Sequence, residues 1–201
     1  MTNAQKRVAQ ATAGLPPGLA ALVKRAGEAT PSRPVERWNP PYCGEIDIRI
    51  AADGTWFYRG GPLMREALVR LFASILRREP GGGHVLVTPV EKLGITVEDA
   101  PFLAVEVAIE GAKTDRTLTF RTNVGDIVAA GRDHPISFAT ERGTGGLKPY
   151  VLVRSGLQAL MTRAVMLELV ELADEREGVP GLWSGAVFFP FPASQGDETD
   201  G

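Results

Sequence analysis

The sequence has one cysteine, two histidines and no long apolar run, and each scarcity excludes a class of protein. Cys43 has no second cysteine with which to form an internal disulfide, which favours a reducing compartment. No window approaches the run of about 18 apolar residues that a membrane-spanning helix needs. No apolar stretch follows Lys6 and Arg7, so we predict no signal peptide and place the protein in the cytoplasm.

Neither sign of charge dominates, because 22 Lys and Arg residues face 24 Asp and Glu residues. A chain without a positive excess is unsuited to hold a long polyanion, so we predict no extended nucleic-acid partner. A small anionic ligand needs only a few well-placed cations and is therefore not excluded. The apolar share of 44% is ordinary for a globular protein with a full core.

The two ends differ from the rest of the chain in composition. We predict disorder for residues 1–14 and 193–201, which are small, polar or acidic. Between them we predict an N-terminal α+β domain over residues 15–88 and a C-terminal α+β domain over residues 89–192.

The first half begins with a predicted short helix after Pro17, because Leu19, Leu22 and Val23 share one helical face. Strict alternation then predicts a half-buried strand over Glu45–Ile50. The pair Asp53-Gly54 is favoured in type I′ turns and predicts a tight hairpin into a returning strand over Thr55–Tyr58.

A helix is predicted after Gly60-Gly61-Pro62, since apolar residues recur there at steps of three and four. A second helix is predicted to open at Arg154-Ser155-Gly156 on the same grounds. Further strands are predicted over Val85–Thr88, Phe102–Glu110, Thr117–Thr122, Ile136–Thr140 and Tyr150–Val153. The two apolar helix faces contain Leu63, Ala67, Leu68, Leu71, Phe72, Ile75 and Leu76, and Leu157, Met161, Ala164, Val165, Leu169 and Leu172.

Two segments of the chain look alike. Tyr58-Arg59-Gly60-Gly61-Pro62-Leu63 matches Val153-Arg154-Ser155-Gly156-Leu157, and in each a strand ends at an arginine before small residues turn the chain. We therefore predict an internal duplication of about 35 residues. The predicted fold class is α+β, built from duplicated strand-hairpin-helix units.

Six strings of this sequence occur in a fixed order that is far more specific than a single glycine motif. They are Trp38–Asp47, Asp53–Tyr58, Leu68–Phe72, Thr88–Lys92, Val97–Phe102 and Gly156–Leu160. These strings resemble a bacterial family known as a domain of unknown function, DUF1285, over roughly Trp38 to Leu172. The resemblance implies a duplicated architecture whose second half is superficially like a pleckstrin-homology domain. It also implies a site at the interface between the halves for a nucleotide-like molecule, and a role in signalling.

The two arginine-led junctions, at Arg59 and Arg154, are the main candidates for a binding site. The first amides of a helix lack partners within it and attract phosphate or carboxylate. An adjacent arginine adds a charged, forked contact. The alternative is that the small residues only turn the chain and both arginines are solvated.

Other candidates lie in or near loops. Thr88, Glu91 and Lys92 form a polar turn after an apolar strand, and such a connection either holds a ligand or is simply solvated. Arg65 adds a further positive charge. Trp56 is a candidate for stacking on a base, whereas we assign Phe57 to the core.

The sequence offers no convincing catalytic centre, and we predict no catalytic residue, metal ligand or cofactor. Cys43 and His84 would be a nucleophile and a base only if the fold joined them, and nothing nearby lowers the thiol pKa. Two isolated histidines have no metal-ligand spacing. Gly143–Pro149 resembles a phosphate loop, but Lys148 precedes proline instead of serine or threonine.

The leading interpretation is a regulatory or signal-transduction protein that binds an anionic, nucleotide-like molecule between its two domains. An enzyme is the less favoured reading. The alternative is a protein–protein interaction module without a small-molecule ligand. The ligand-binding candidates are Arg59, Arg65, Trp56, Thr88, Glu91, Lys92 and Arg154.

Overall fold

The computed structural model describes residues 14–24, 34–141 and 144–192. The chain divides into two units, Met1–Asp99 and Ala100–Gly201. This division falls later than the sequence-based boundary at residue 88, because strand β6 (Lys92–Val97) pairs within the first unit. The disorder predicted for residues 1–13 and 193–201 lies outside the described residues.

The described part of the first unit contains six strands and two short helices. One helix precedes the sheet, and the other lies between its third and fourth strands. A single 3-10 turn, Val35–Arg37, leads into the first strand. The elements are α1 (Pro17–Lys24), β1 (Tyr42–Ile50), β2 (Trp56–Tyr58), β3 (Gly61–Pro62), α2 (Glu66–Ala73), β4 (Leu76–Arg78), β5 (His84–Val87) and β6.

The described part of the second unit contains a further six-stranded sheet, one helix and a small three-stranded sheet. A 3-10 turn, Lys113–Asp115, separates the first two strands. The elements are β7 (Phe102–Glu110), β8 (Thr117–Thr122), β9 (Ile127–Ala129), β10 (Ile136–Thr140), β11 (Leu147–Arg154), β12 (Leu157–Met161), α3 (Arg163–Val170), β13 (Asp174–Arg176), β14 (Val179–Ser184) and β15 (Val187–Pro190).

The two six-stranded sheets have the same topology. Their strand orders are β3-β2-β1-β6-β5-β4 and β10-β11-β12-β7-β8-β9. In each, two antiparallel meanders of three strands meet through a parallel pair, β1 with β6 and β7 with β12. Numbered within its own unit, each sheet reads 3-2-1-6-5-4, so the chain consists of two similar units of mixed sheet with few helices.

Alternation places one face of each sheet in a core. Ile48 and Ile50 of β1 are buried together with Trp56 of β2, whose ring contacts Phe72 of α2. In the second unit the same period of two buries Leu118 and Phe120 of β8, among others. Burial of large apolar side chains of this kind is the main source of stability in each unit.

The two longer predicted helices are shorter than expected, and each loses one end to a strand. Helix α2 stops at Ala73, and Leu76 begins β4. Leu157 to Met161 is strand β12, and α3 begins only at Arg163. A spacing of four residues fits both a helix and a strand of period two, so Leu157 and Met161 did not distinguish them.

The strand predictions were more accurate. Phe102–Glu110, Thr117–Thr122 and Ile136–Thr140 are strands with the predicted bounds. Asp53-Gly54 does lie in the turn between β1 and β2, although only Gly54 of the pair has a positive φ, 80°. The repeat is the whole six-stranded unit, not a strand-hairpin-helix module of about 35 residues.

Candidate functional site

The two arginine-led junctions are hairpin turns, so the prediction that they open helices was wrong. Tyr58 pairs with Gly61 across Arg59-Gly60, and Arg154 pairs with Leu157 across Ser155-Gly156. Both turn residues have positive φ in each case, 51° and 75° in the first and 43° and 78° in the second. This is the type I′ geometry that matches the twist of paired strands. Neither junction therefore presents the unpaired amides of a helix start.

Arg59 is exposed and contacts the segment before α1. Its guanidinium lies over the Tyr58 ring, 5.2 Å from the centroid, and its Nη2 donates to the carbonyl oxygen of Gly14 at 3.2 Å. The Tyr58 hydroxyl donates to the same oxygen at 2.8 Å. One carbonyl thus receives two donors from the β2–β3 hairpin, and the exposed guanidinium retains further donors for other contacts.

Arg65 is the residue before α2, and its side chain is exposed. Its side chain makes no capping hydrogen bond, while its carbonyl oxygen accepts from Leu68 N and Val69 N. The neighbouring Arg70 pairs with Glu66 one turn away. Arg65 therefore provides positive charge at the surface close in sequence to the Arg59 turn.

Thr88 and Glu91 form a buried turn that caps α1. The Thr88 hydroxyl accepts from Glu91 N at 3.1 Å, and Thr88 N donates to Glu91 O at 2.9 Å. The Glu91 carboxylate, with the residue only 7% exposed, accepts the backbone N–H of Leu19 at 3.0 Å. A carboxylate in the first turn of a helix is stabilised by the free amides and the helix dipole. The loop predicted to hold a ligand thus holds part of the chain itself.

Lys92 belongs to an ion-pair network with Glu79 and Arg77. Its Nζ donates to Glu79 Oε2 at 2.9 Å, and Arg77 Nε donates to Glu79 Oε1 at 2.8 Å. The hydrogen bond from Lys92 lowers the pKa of Glu79 below its usual value, against the opposing effect of burial, and Arg77 lowers it further. Arg77 also donates to the carbonyl oxygens of Val35 and Trp38, so this network holds the segment just before β1 against the sheet.

Arg154, in the second unit, is paired as well. Its guanidinium forms an ion pair with Asp126 and lies over the Phe102 ring, 4.8 Å from the centroid. The positive charge of Arg154 is therefore partly neutralised, and a ligand would compete with Asp126 for it.

Trp56 is buried, with 1% of its surface exposed, and Phe57 is only half-buried beneath Arg49. The assignment of Phe57 to the core was wrong. The indole Nε1 of Trp56 has no hydrogen-bond partner among the described residues. Its ring faces Phe72 at 6.5 Å between centroids, so stacking on a base would require the core of the first unit to open.

The structure thus gathers Arg59, Thr88 and Glu91 around the segment from Gly14 to Lys24. It leaves Trp56 in the core and Arg154 in the other unit. Sequence reasoning considered Tyr58 only for stacking, together with Trp56 and Phe57, and missed Gly14 and Gly18 as contact residues. A built Cβ at Gly18 would lie 2.5 Å from Glu91 Oε1, and one at Gly14 would lie 2.6 Å from Arg59. The only sequence signal was glycine on either side of Pro16-Pro17.

The catalytic alternative gains nothing from the geometry. Cys43 is exposed on β1 and donates weakly to Pro41 O at 3.6 Å, while His84 lies on β5 with β6 between them. Burial lowers the pKa of His84, with a smaller contribution from Arg78. Over residues 14–24, 34–141 and 144–192 there is no group of three metal-ligating side chains. In the same ranges, every helix is too short or too polar to cross a membrane.

The fold is that of a protein with two similar units of mixed sheet. The "Domain of unknown function (DUF1285), N-terminal domain" matches residues 33–100, and the "Protein of unknown function (DUF1285), C-terminal domain" matches residues 101–191. The chain belongs to the DUF1285 family, which confirms the resemblance seen in its sequence.

Two crystal structures of the family are similar to this chain. A DUF1285 family protein from Silicibacter pomeroyi DSS-3 is 50% identical, with a TM-score of 0.80 over 84% of this chain and 93% of that one. A DUF1285 family protein from Shewanella baltica OS155 is 29% identical, with a TM-score of 0.51 over 64% of this chain and 94% of that one. No curated protein matches the chain.

Proposed function

We propose that this chain is a cytoplasmic regulatory protein that binds an anionic small molecule, with Arg59 as the principal charged contact. One observation carries the proposal: Arg59 is exposed at a glycine turn, beside the Tyr58 hydroxyl. A Cβ built at Gly60 meets no atom within 4 Å, so a ligand can approach this turn closely. Arginine binds phosphate and carboxylate groups through paired, charge-assisted hydrogen bonds.

Arg65 is the second charge in this proposal, because it too is exposed. Lys92 and Arg154 contribute only if a ligand displaces Glu79 and Asp126 from them. Thr88 and Glu91 contribute only if α1 leaves the turn that they form. Trp56 contributes only after the core around Phe72 rearranges.

The chemical class of the ligand follows from the family resemblance. That resemblance favours a nucleotide-like anion, a signalling role, a pleckstrin-homology-like second unit and a site between the two units. These remain predictions. The contacts of Arg59 and Arg65 can be tested within the first unit without them.

The test is a thermal-shift and calorimetric titration with adenine and guanine mono-, di- and triphosphates. Removal of one charge-assisted contact in Arg59→Ala is expected to weaken binding by about tenfold or more. Arg132→Ala removes an exposed arginine from the second unit and serves as the matched control. Failure of every nucleotide to raise the melting temperature, or equal binding by wild type and Arg59→Ala, contradicts the proposal.

The second candidate, a protein-interaction module, is favoured by one surface. Leu167 and Val170 of α3 are 59% and 51% exposed and lie one helical turn apart, on the same face. Adjacent exposed apolar side chains of this kind are typical of contact surfaces. Sedimentation of wild type and of Leu167→Ser/Val170→Ser tests self-association, which is the case that can be measured without a known partner. Identical concentration dependence of the two proteins contradicts an interface between copies at this face.

A further inference from the structure

The segment from Gly14 to Lys24 is held to the first unit at its start, Gly14, and near its middle, Leu19. At the start, Tyr58 and Arg59 donate to the Gly14 carbonyl oxygen. In the first turn of α1, the Glu91 carboxylate accepts the hydrogen of the Leu19 amide. We call four side chains of the first unit that contact this segment the helix seat: Tyr58 at the end of β2, and Arg59, Thr88 and Glu91 in turns.

Helix α1 depends on the helix seat for its structure. It has only eight residues, and an isolated helix of that length is unstable in water. Its apolar residues Leu19, Leu22 and Val23 recur at steps of three and one and are all buried. Burial of the apolar face and the contact with the Glu91 carboxylate together stabilise a helix that is too short to be stable by itself.

The helix seat selects the sequence of the helix that it holds. A Cβ at Gly18 would lie 2.5 Å from Glu91 Oε1 and 2.7 Å from Thr88 Oγ1. The hydrogen bonds of the Thr88–Glu91 turn hold the Thr88 hydroxyl and the Glu91 backbone, so an added Cβ would displace the Glu91 carboxylate from the Leu19 amide. Glycine at the second position of the helix therefore preserves the contact between Glu91 and Leu19.

Charge adds a second element of selectivity. Acidic residues are usual in the first turn of a helix because they face the free amides, but α1 has none there. Glu91 occupies that position from the sheet. A negative side chain in the first turn of the helix would lie beside the Glu91 carboxylate and repel it.

We propose that the helix seat is a specific binding site for an amphipathic helix with glycine at its second position and no acidic residue in its first turn, and that α1 occupies it as a displaceable latch. The segment lies before residues 33–100, which match the family's N-terminal domain, so that match does not include it. Its polar contacts to the first unit include the hydrogen bonds of Gly14 and Leu19. This proposal does not depend on the anionic ligand.

The test uses the full chain and a fluorescein-labelled peptide of residues 14–24, followed by fluorescence anisotropy. In the Gly18→Ala chain the internal helix competes poorly, so the peptide is expected to bind about tenfold more tightly than it binds wild type. Adding Glu91→Ala to that chain should abolish the gain. Far-UV circular dichroism checks the folding of each variant.

Peptide variants test the selectivity. Peptides carrying Gly18→Ala or Pro17→Glu are expected not to bind, whereas Pro17→Gln, which changes the same exposed residue without a charge, should bind like the parent. Equal binding of the peptide to wild type and to the Gly18→Ala chain overturns the latch. Equal binding of all four peptides overturns the specific seat.

If the Gly18→Ala chain fails to fold, hydrogen exchange on the unmodified protein tests whether α1 is a displaceable latch. A latch opens without global unfolding, so the amides of Leu22 and Val23 should exchange about 100-fold faster than those of the buried strand β5. Exchange of α1 at the same rate as β5 would mean that the helix leaves only when the whole unit unfolds, and it would overturn the proposal.

Discussion

The carboxylate of Glu91 accepts the backbone N–H of Leu19 at 3.0 Å, across a separation of 72 residues. A hydrogen-bond acceptor at this position is normally supplied by the residue just before the helix. Here it comes from the turn between β5 and β6, so an ion–dipole contact links the start of α1 to this turn. Much of the behaviour of the N-terminal segment follows from this pair.

Substitution of Glu91 by glutamine should loosen α1. The amide keeps the shape of the side chain but loses its charge, so the free energy of opening α1 is expected to fall by about 1 kcal/mol. In hydrogen exchange this corresponds to a roughly fivefold faster exchange at Leu22 and Val23. Glu45→Gln, at an exposed position of β1, should leave both rates unchanged. An effect of equal size in the two variants would show that the contact with Leu19 is not responsible.

The network of Glu79, Lys92 and Arg77 should make the first unit sensitive to acid. The pKa of Glu79 is lowered by Lys92 and Arg77, so the unfolded chain binds a proton at a higher pH than the folded one. The stabilisation is fully present above the ordinary value of 4.5 and is lost as the pH falls through the folded pKa. Glu79→Gln should be less stable than wild type at neutral pH, and the difference should shrink below pH 4.5.

The measurement for Glu79 is urea unfolding at neutral pH and at steps below pH 4.5, followed by fluorine NMR of 5-fluorotryptophan at Trp56. That probe lies in the core of the first unit. Glu45→Gln is again the matched control. A stability difference between Glu79→Gln and wild type that does not change with pH would contradict the assigned pKa shift.

Arg116 should matter far more to the second unit than a surface arginine does. It is 8% exposed, donates to Leu172 O at 2.6 Å and pairs with Asp174 at 3.2 Å, which joins β8 to the chain beyond α3. Arg116→Met leaves the carbonyl and the carboxylate without their donor and is expected to cost about 2 kcal/mol.

The control for Arg116 is Arg121→Met, which breaks the exposed pair with Glu106 in the same unit. Solvent screens that pair, so only a small fraction of the Arg116 effect is expected. Urea unfolding followed by fluorine NMR at Trp183, on β14, reports on this unit. Equal losses in the two variants would show that burial of Arg116 adds nothing.

The sequence predicted strands better than helices, for a physical reason. Alternation along Phe102–Glu110 is a signal that only a strand produces, and its bounds were confirmed. Leu157 and Met161 fit both the helical period and the strand period. The missed sign was Thr162, whose side chain caps α3 by accepting from Val165 N, so the helix begins later than predicted. The topology shared by the two units depends on parallel pairing between distant strands, which local patterns do not contain.

The turn positions of two candidate site residues were predicted from the sequence, while their role in binding stays a prediction. Arg59 and Glu91 stand out in the sequence because charged residues lie in turns there, and the structure places both at turns. Both residues contact the N-terminal segment, Arg59 at Gly14 and Glu91 at Leu19. These contacts could not be predicted, because the partners lie far apart in the sequence. The helix-start argument for Arg59 failed because a glycine after a strand also serves a two-residue hairpin, and the chain takes that option.

The last prediction tests whether Arg59-Gly60 forms a type I′ turn or the start of a helix. Gly60 has a φ of 75°, and a Cβ there meets no atom within 4 Å, so only backbone strain opposes alanine. Gly60→Ala is expected to cost about 1 kcal/mol. At Gly81 the space is equally open but φ is not positive, so Gly81→Ala should be neutral or stabilise by about 0.5 kcal/mol. Both variants are measured by urea unfolding with fluorine NMR at Trp56. If alanine is tolerated equally at the two positions, Arg59-Gly60 is not a type I′ turn, because a helix start would not require positive φ at Gly60.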